Sequence, residues 1–247
     1  MSFPAKWAIA SFLLASILFA AVPAAAAARS PAASVPSIVQ FASGNSPGGS
    51  ATSVSLTFSQ PVAAGDVIVV CAGIVSGNVV KIRTNALYDS LQTSFTPLAH
   101  ARSMEGQDNS FAKVWYGVAQ TAGTDSITLN YISGPAALFG YEVSGAGTAA
   151  SSFMTSHKQD SGNPTTGSFV HPFAPAANSL VIACGGFFTL EGAGSVSAGS
   201  GYTLDQSFSG NNGAEHLSGA RGTTAAPFGF SQVVYEWSEV AVGIAPA

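Results

Sequence analysis

The chain carries 27 glycines and 13 prolines in 247 residues, and after residue 30 one or the other interrupts it every few positions. Either residue destabilises a helix interior, and proline also removes a backbone donor. A helix of ten or more residues has almost nowhere to form. Between the breaks lie short runs rich in β-branched and aromatic residues, the pattern of strands. They are Ser53–Phe58, Asp66–Ile74, Phe111–Val118, Ser126–Tyr131 and Ala137–Val143, then Ser179–Phe188, Tyr202–Phe208, Phe228–Tyr235 and Ser238–Ile244. Many short strands with frequent turns and no intervening helices predict an all-β fold of β-sandwich or jelly-roll type.

The chain also repeats itself. Val62-Ala63-Ala64-Gly65-Asp66-Val67-Ile68-Val69-Val70-Cys71-Ala72-Gly73-Ile74 matches Pro175-Ala176-Ala177-Asn178-Ser179-Leu180-Val181-Ile182-Ala183-Cys184-Gly185-Gly186-Phe187. Each reads as a turn, a continuously apolar strand, a cysteine and a glycine. Upstream, Ser37-Ile38-Val39 and Ser53-Val54-Ser55 correspond to Ser152-Phe153-Met154 and Gly167-Ser168-Phe169. Downstream, Phe95-Thr96-Pro97-Leu98 corresponds to Gly201-Tyr202-Thr203-Leu204. This order predicts two duplicated halves, 37–147 and 148–247, divided near the Gly/Ala/Ser/Thr stretch Gly145–Ser151.

Ahead of them, Lys6, the apolar stretch Trp7–Val22, Pro23 and the Ala-rich segment Ala24–Ala28 have the layout of a cleavable export signal over 1–28, with a short linker over 29–36. The apolar stretch is shorter than the roughly 20 residues of a spanning helix, so the expectation is a secreted, cell-surface-associated chain with no membrane span once processed. Only 8% of residues are charged, with no basic patch, which argues against a nucleic-acid partner.

These motifs together resemble a widespread, poorly characterised group of secreted β-sandwich domains of microbial surface and phage-structural proteins. The resemblance is carried by Gly65-Asp66-Val67-Ile68-Val69-Val70, Tyr88-Asp89-Ser90, Phe95-Thr96-Pro97-Leu98, Val114-Trp115-Tyr116, Ser126-Ile127-Thr128-Leu129 and Tyr141-Glu142-Val143-Ser144-Gly145. In the second half it rests on Asn178–Ala183 and Gly199–Leu204. It implies surface display, adhesion or filament-like assembly, and no common enzymatic activity. After Asp89-Ser90 the group tends to have a Gly-Asn turn, where this chain has Leu91-Gln92-Thr93-Ser94.

No catalytic set stands out. Four dispersed histidines form no zinc-binding pattern, and no calcium-loop motif, nucleophile elbow or phosphate loop occurs, so neither metal nor cofactor is expected. Cys71 and Cys184 lie inside apolar runs and read as buried thiols. A Cys71–Cys184 bridge needs Cα atoms within roughly 7 Å, which requires the two strands to meet near a pseudo-twofold axis. Asp89 in its turn suggests an Asx-type hydrogen bond, or else a ligand contact. Alternation turns Glu142 outward, and it puts Trp115 with Phe111 and Lys113 on one face and Val114, Tyr116 and Val118 on the other. If solvent-facing, Trp115 and Trp237 are candidate ligand-binding platforms for a glycan.

The leading expectation is therefore a non-enzymatic surface or structural protein. It would self-associate, or join another surface protein, through strand edges, with the Ser30–Pro36 segment followed by Ser37–Ala42 as a candidate donor arm. A carbohydrate-binding module is the alternative, and an unrecognised secreted hydrolase the third reading.

Overall fold

The computed structural model describes residues 34–46, 51–76, 82–105, 108–132, 134–188, 194–208 and 211–247. The expected leader and most of the linker lie outside them. The described chain is all-β. Its first half comprises β1 (Ser37–Ser46), β2 (Ser53–Thr57), β3 (Val67–Ser76), β4 (Ile82–Asp89), β5 (Thr96–Glu105), β6 (Asp108–Val118), β7 (Ser126–Tyr131) and β8 (Ala136–Ser144). After a single 3-10 turn at Ala150–Ser152 come β9 (Phe153–Phe169), β10 (Ser179–Phe188), β11 (Val196–Ser197), β12 (Thr203–Phe208), β13 (Asn212–Ala220) and β14 (Pro227–Ile244). No helix among the described residues is long and apolar enough to cross a membrane.

Every strand pairing is antiparallel, and the two halves repeat one topology. The first large sheet runs β1-β8-β3-β6-β5; the second runs β9-β14-β10-β13-β12. The apolar repeats occupy the central strands, β3 and β10. In the first half a separate small sheet, β2-β7-β4, covers one face. In the second half its counterpart is fused to the large sheet: the end of β9 pairs with the start of β14, which pairs with β11.

Three apolar layers follow. Val54, Leu56, Ile127 and Leu129 of the small sheet pack on Ile68, Val70, Ile74, Trp115 and Leu138 of the first large sheet. The opposite face of that sheet, with Val69, Cys71, Val114, Phe139 and Tyr141, packs on Leu180, Ile182, Cys184, Val240 and Val242 of the second. A third cluster, with Val181, Phe187, Phe228 and Trp237, fills the far side. Both large sheets are thus covered on both faces, which is why β3 and β10 are apolar throughout rather than alternating.

The halves are joined by a disulfide. Cys71 and Cys184 are fully buried and bonded, with Cα atoms 6.2 Å apart. Packed sheets normally stand about 10 Å apart, so the backbones pinch together here, and the residues beside the bridge must be small. A Cβ added to Gly186 would sit 2.9 Å from Ile74 O, and one added to Gly73 would press still closer on Gly185 O. The expectation of two free thiols is corrected: each cysteine points from its central strand into the shared layer, where the other meets it.

The candidate donor arm, of which residues 30–33 lie outside the described residues, is corrected over its second part as well. Ser37–Ala42 is the start of β1, paired with β8 of its own chain. Phe41 packs on Tyr141 with ring centroids 4.9 Å apart, and Gln40 Nε2 donates to Glu142 Oε2 at 2.6 Å. Glu142 is not turned to solvent: it is 1% exposed, and its Oε1 accepts the Ala63 amide at 2.7 Å.

Candidate functional site

Trp115 and Trp237 are 4% and 3% exposed. The small sheet lies over Trp115, and Phe187 and Phe228 share a core with Trp237. Lys113 Nζ stands 4.9 Å from the Trp115 ring centre and Lys158 Nζ 5.7 Å from that of Trp237. Neither indole offers a free face, so the expected stacking platforms are core residues.

Asp89 closes a turn. Its Oδ1 accepts the Thr93 amide at 2.7 Å, four residues on, in place of the Asx-type bond to the amide two residues on that was expected there. The turn also holds Gln92 at φ 59°, a left-handed conformation unfavourable for a side chain of this kind. It lies tight against β6: a Cβ on Gly117 would stand 2.5 Å from Thr93 Cγ2 and 3.2 Å from Ser94 O. Glycine at 117 is what lets the turn approach.

Beside this turn is an open depression of about 310 Å³. Gln92, Ser94 and Thr96 form one side, Tyr116, Gly117 and Val118 the floor, and Gln120 and Thr148 the far rim. Every polar group is an amide or a hydroxyl, and no lining residue carries a formal charge. Tyr116 is braced by Phe153, ring centroids 4.1 Å apart. Gln120 Nε2 donates to Val118 O at 3.1 Å, which fixes the amide and leaves its oxygen as an acceptor. Thr148 comes from the segment between the halves, so the depression draws on the turn after β4, the end of β6 and that connection.

Sequence reasoning missed these residues. Nothing in the sequence signals Gln92, whose left-handed backbone belongs to the folded turn. The exposed aromatic of the small sheet is Tyr88, 51% exposed. It is paired with Thr128, which is paired with Ser55, and the Ser55 and Thr128 hydroxyls are 2.8 Å apart.

Elsewhere one group of titratable side chains is turned inward. Asp205 binds His216 Nδ1 at 2.8 Å and accepts the Tyr141 hydroxyl at 2.8 Å, clasping β8 to the β12–β13 edge. Burial, then the Asp205 charge, pushes the Tyr141 phenol well up. Burial pushes Glu215 up to about 8, with Asp205 adding and the Gly199 amide opposing. Glu239 is raised chiefly by burial too, with Glu215 adding and the Ser168 hydroxyl and Lys158 opposing. Both glutamates are 0% exposed, flank the small residues of β10 and have no face toward a substrate. Among the described residues no three His, Cys, Asp or Glu side chains gather as a metal site would require.

No protein-family model matches the chain, nor does any curated protein or any solved structure.

Proposed function

We propose that this chain is an exported, non-enzymatic binding protein whose depression beside Gln92 takes a sugar unit of a neutral saccharide. The observation that carries the reading is the lining itself: amides and hydroxyls of Gln92, Ser94, Thr96, Gln120 and Thr148 around the braced Tyr116, with no charge. A sugar presents hydroxyls that both donate and accept, and amide and hydroxyl side chains match them in either sense. A volume of about 310 Å³ is near the lower limit for small-molecule sites, about 300 Å³. The backbone strain at Gln92 fits the habit of such strain to collect at binding sites.

Export is supported by the leader-like segment 1–28 and by the Cys71–Cys184 bridge, since disulfides persist in oxidising compartments. The Ser55–Thr128–Tyr88 row is a second uncharged surface of the same chemistry, consistent with an extended polymer rather than a free monosaccharide.

The test is a glycan array on the folded chain, followed by calorimetric titration of the best neutral oligosaccharide. Binding that weakens at least tenfold in Gln120→Ala and in Thr96→Ala supports the proposal. An array with no neutral ligand, or an affinity untouched by both substitutions, overturns it.

A further inference from the structure

A second cavity, of about 100 Å³, lies at the seam between the halves. The end of β1 and the approach to β8 supply Asn45, Ser46 and Pro135, and the β12–β13 turn supplies Phe208, Asn211 and Asn212. It sits toward the other end of β3 from the depression beside Gln92. Gly117 of the depression is paired with Ile68, whereas Asn212 reaches the carbonyl of Gly73, roughly 17 Å further along the strand at about 3.4 Å per residue.

The walls are held by bonds within the chain. Ser46 is paired with Ala136, and Val75 N donates to Pro135 O at 2.9 Å. Asn211 N donates to Phe208 O at 3.0 Å, and Phe187 N to Asn211 O at 2.8 Å. Asn212 Nδ2 uses both its protons, on Gly73 O and Asn211 O, each at 3.0 Å. The cavity is therefore formed before anything enters it, and both halves shape it.

Two buried groups in its wall have bonding capacity to spare. Asn212 is 3% exposed, and with its Nδ2 protons in use its Oδ1 is left to accept. Ser46 is 7% exposed, and its Oγ has no partner. Buried polar atoms in native folds are nearly always satisfied. Asn45 and Asn211 add amides that both donate and accept, while Phe208 and Pro135 present apolar surface. No lining residue carries a charge.

That combination selects a small, uncharged substituent with a polar and an apolar end. A sugar ring is too large, since whole small-molecule sites begin at about 300 Å³. An ionised group would lose its hydration with no counter-charge to meet it. An acetamido group has a methyl for the Phe208–Pro135 side, an N–H donor and a carbonyl acceptor. We infer that the seam cavity takes the acetamido group of an N-acetylated amino sugar. Its N–H would donate to Asn212 Oδ1, and its carbonyl would accept from the Asn211 or Asn45 amide. The rim amides match the ring hydroxyls that flank this group on a sugar, and an acetylated peptide offers none. The site stands whether or not a saccharide occupies the depression.

The experiment is titration calorimetry of the full chain with N-acetylglucosamine oligomers and with glucose oligomers of the same length. The acetylated series is expected to bind at least tenfold more tightly. Asn211→Ala leaves the main-chain bonds of the turn in place, and Asn45→Ala alters an exposed residue; each is expected to weaken that binding about tenfold. Gln120→Ala, in the depression, is expected to leave it unchanged. In saturation-transfer NMR the acetyl methyl should take the strongest signal, and lose it in Asn211→Ala. Equal affinity for the two series overturns the inference. So does binding that is lost in Gln120→Ala and kept in Asn211→Ala, since the acetylated sugar would then lie in the depression. Tighter binding of an N-acetylated peptide than of the sugar overturns the assignment to a saccharide.

Discussion

Cys71 and Cys184 occupy the same place in two equivalent strands, and their sulfurs join across the layer that both halves share, with Cα atoms 6.2 Å apart. The bond therefore staples two repeats of one topology at their common centre. Because both cysteines are fully buried, a reductant reaches the bridge only after the layer opens.

Replacing both cysteines by alanine is expected to cost about 5 kcal/mol, the loop-closure value for a bridge spanning a loop of somewhat over 100 residues. Guanidinium unfolding of the double variant measures it. Intact mass after alkylation under denaturing conditions should show no modified cysteine in the unsubstituted chain until reductant is added.

How far the sequence announced this fold depends on the strand. β7 and β10 fall at the ends expected, Ser126–Tyr131 and Ser179–Phe188, because turn residues bound clean apolar patterns. β9 and β13 were not foreseen. β13 reads Asn-Gly-Ala-Glu-His-Leu-Ser-Gly-Ala, and β9 runs through Gly162-Asn163-Pro164. That interruption is tolerated where the β9–β14 register slips. Alternation placed Trp115 opposite Val114 correctly, but one strand's alternation says only which side a residue takes. That both sides are covered is a property of the stacked sheets. Likewise the equivalence of the two cysteines was visible, whereas their meeting depends on which faces the halves present to each other. The depression was illegible because Gln92, Tyr116 and Thr148 are brought together by pairing far apart in sequence.

Trp115→Ala is expected to destabilise the chain by about 3–5 kcal/mol, the cost of deleting a large buried aromatic, without a specific effect on saccharide affinity in the fraction that remains folded. Denaturant unfolding and titration of the same preparation separate the two. A variant of unchanged stability that loses binding would place Trp115 back at a ligand surface.

The pH dependence follows from Glu215. Its carboxyl is held at about 8 in the folded chain, far above its unfolded value, so the native state binds the proton more tightly. Stability from this group is complete below the unfolded carboxylate range and is lost progressively as pH rises to about 8. Glu239, raised in the same direction, adds to the trend. The Tm is expected to fall between about pH 5 and pH 8, and Glu215→Gln, uncharged throughout, should flatten the slope. A Tm that rises over this interval in the unsubstituted chain would contradict the assignment.

Gln92 sets stability against binding. Its φ of 59° costs a side chain of this type about 1 kcal/mol, whereas asparagine adopts the left-handed region more readily. Gln92→Asn should therefore stabilise the chain, by roughly 0.5 kcal/mol, while drawing the amide back from the depression by one methylene. If the amide contacts a sugar hydroxyl, that withdrawal leaves the partner group unsatisfied, and affinity should fall about tenfold. Chemical denaturation and calorimetric titration read the two effects separately. A gain in stability with unchanged affinity would mean that the strain serves the turn alone and that Gln92 makes no contact with the ligand.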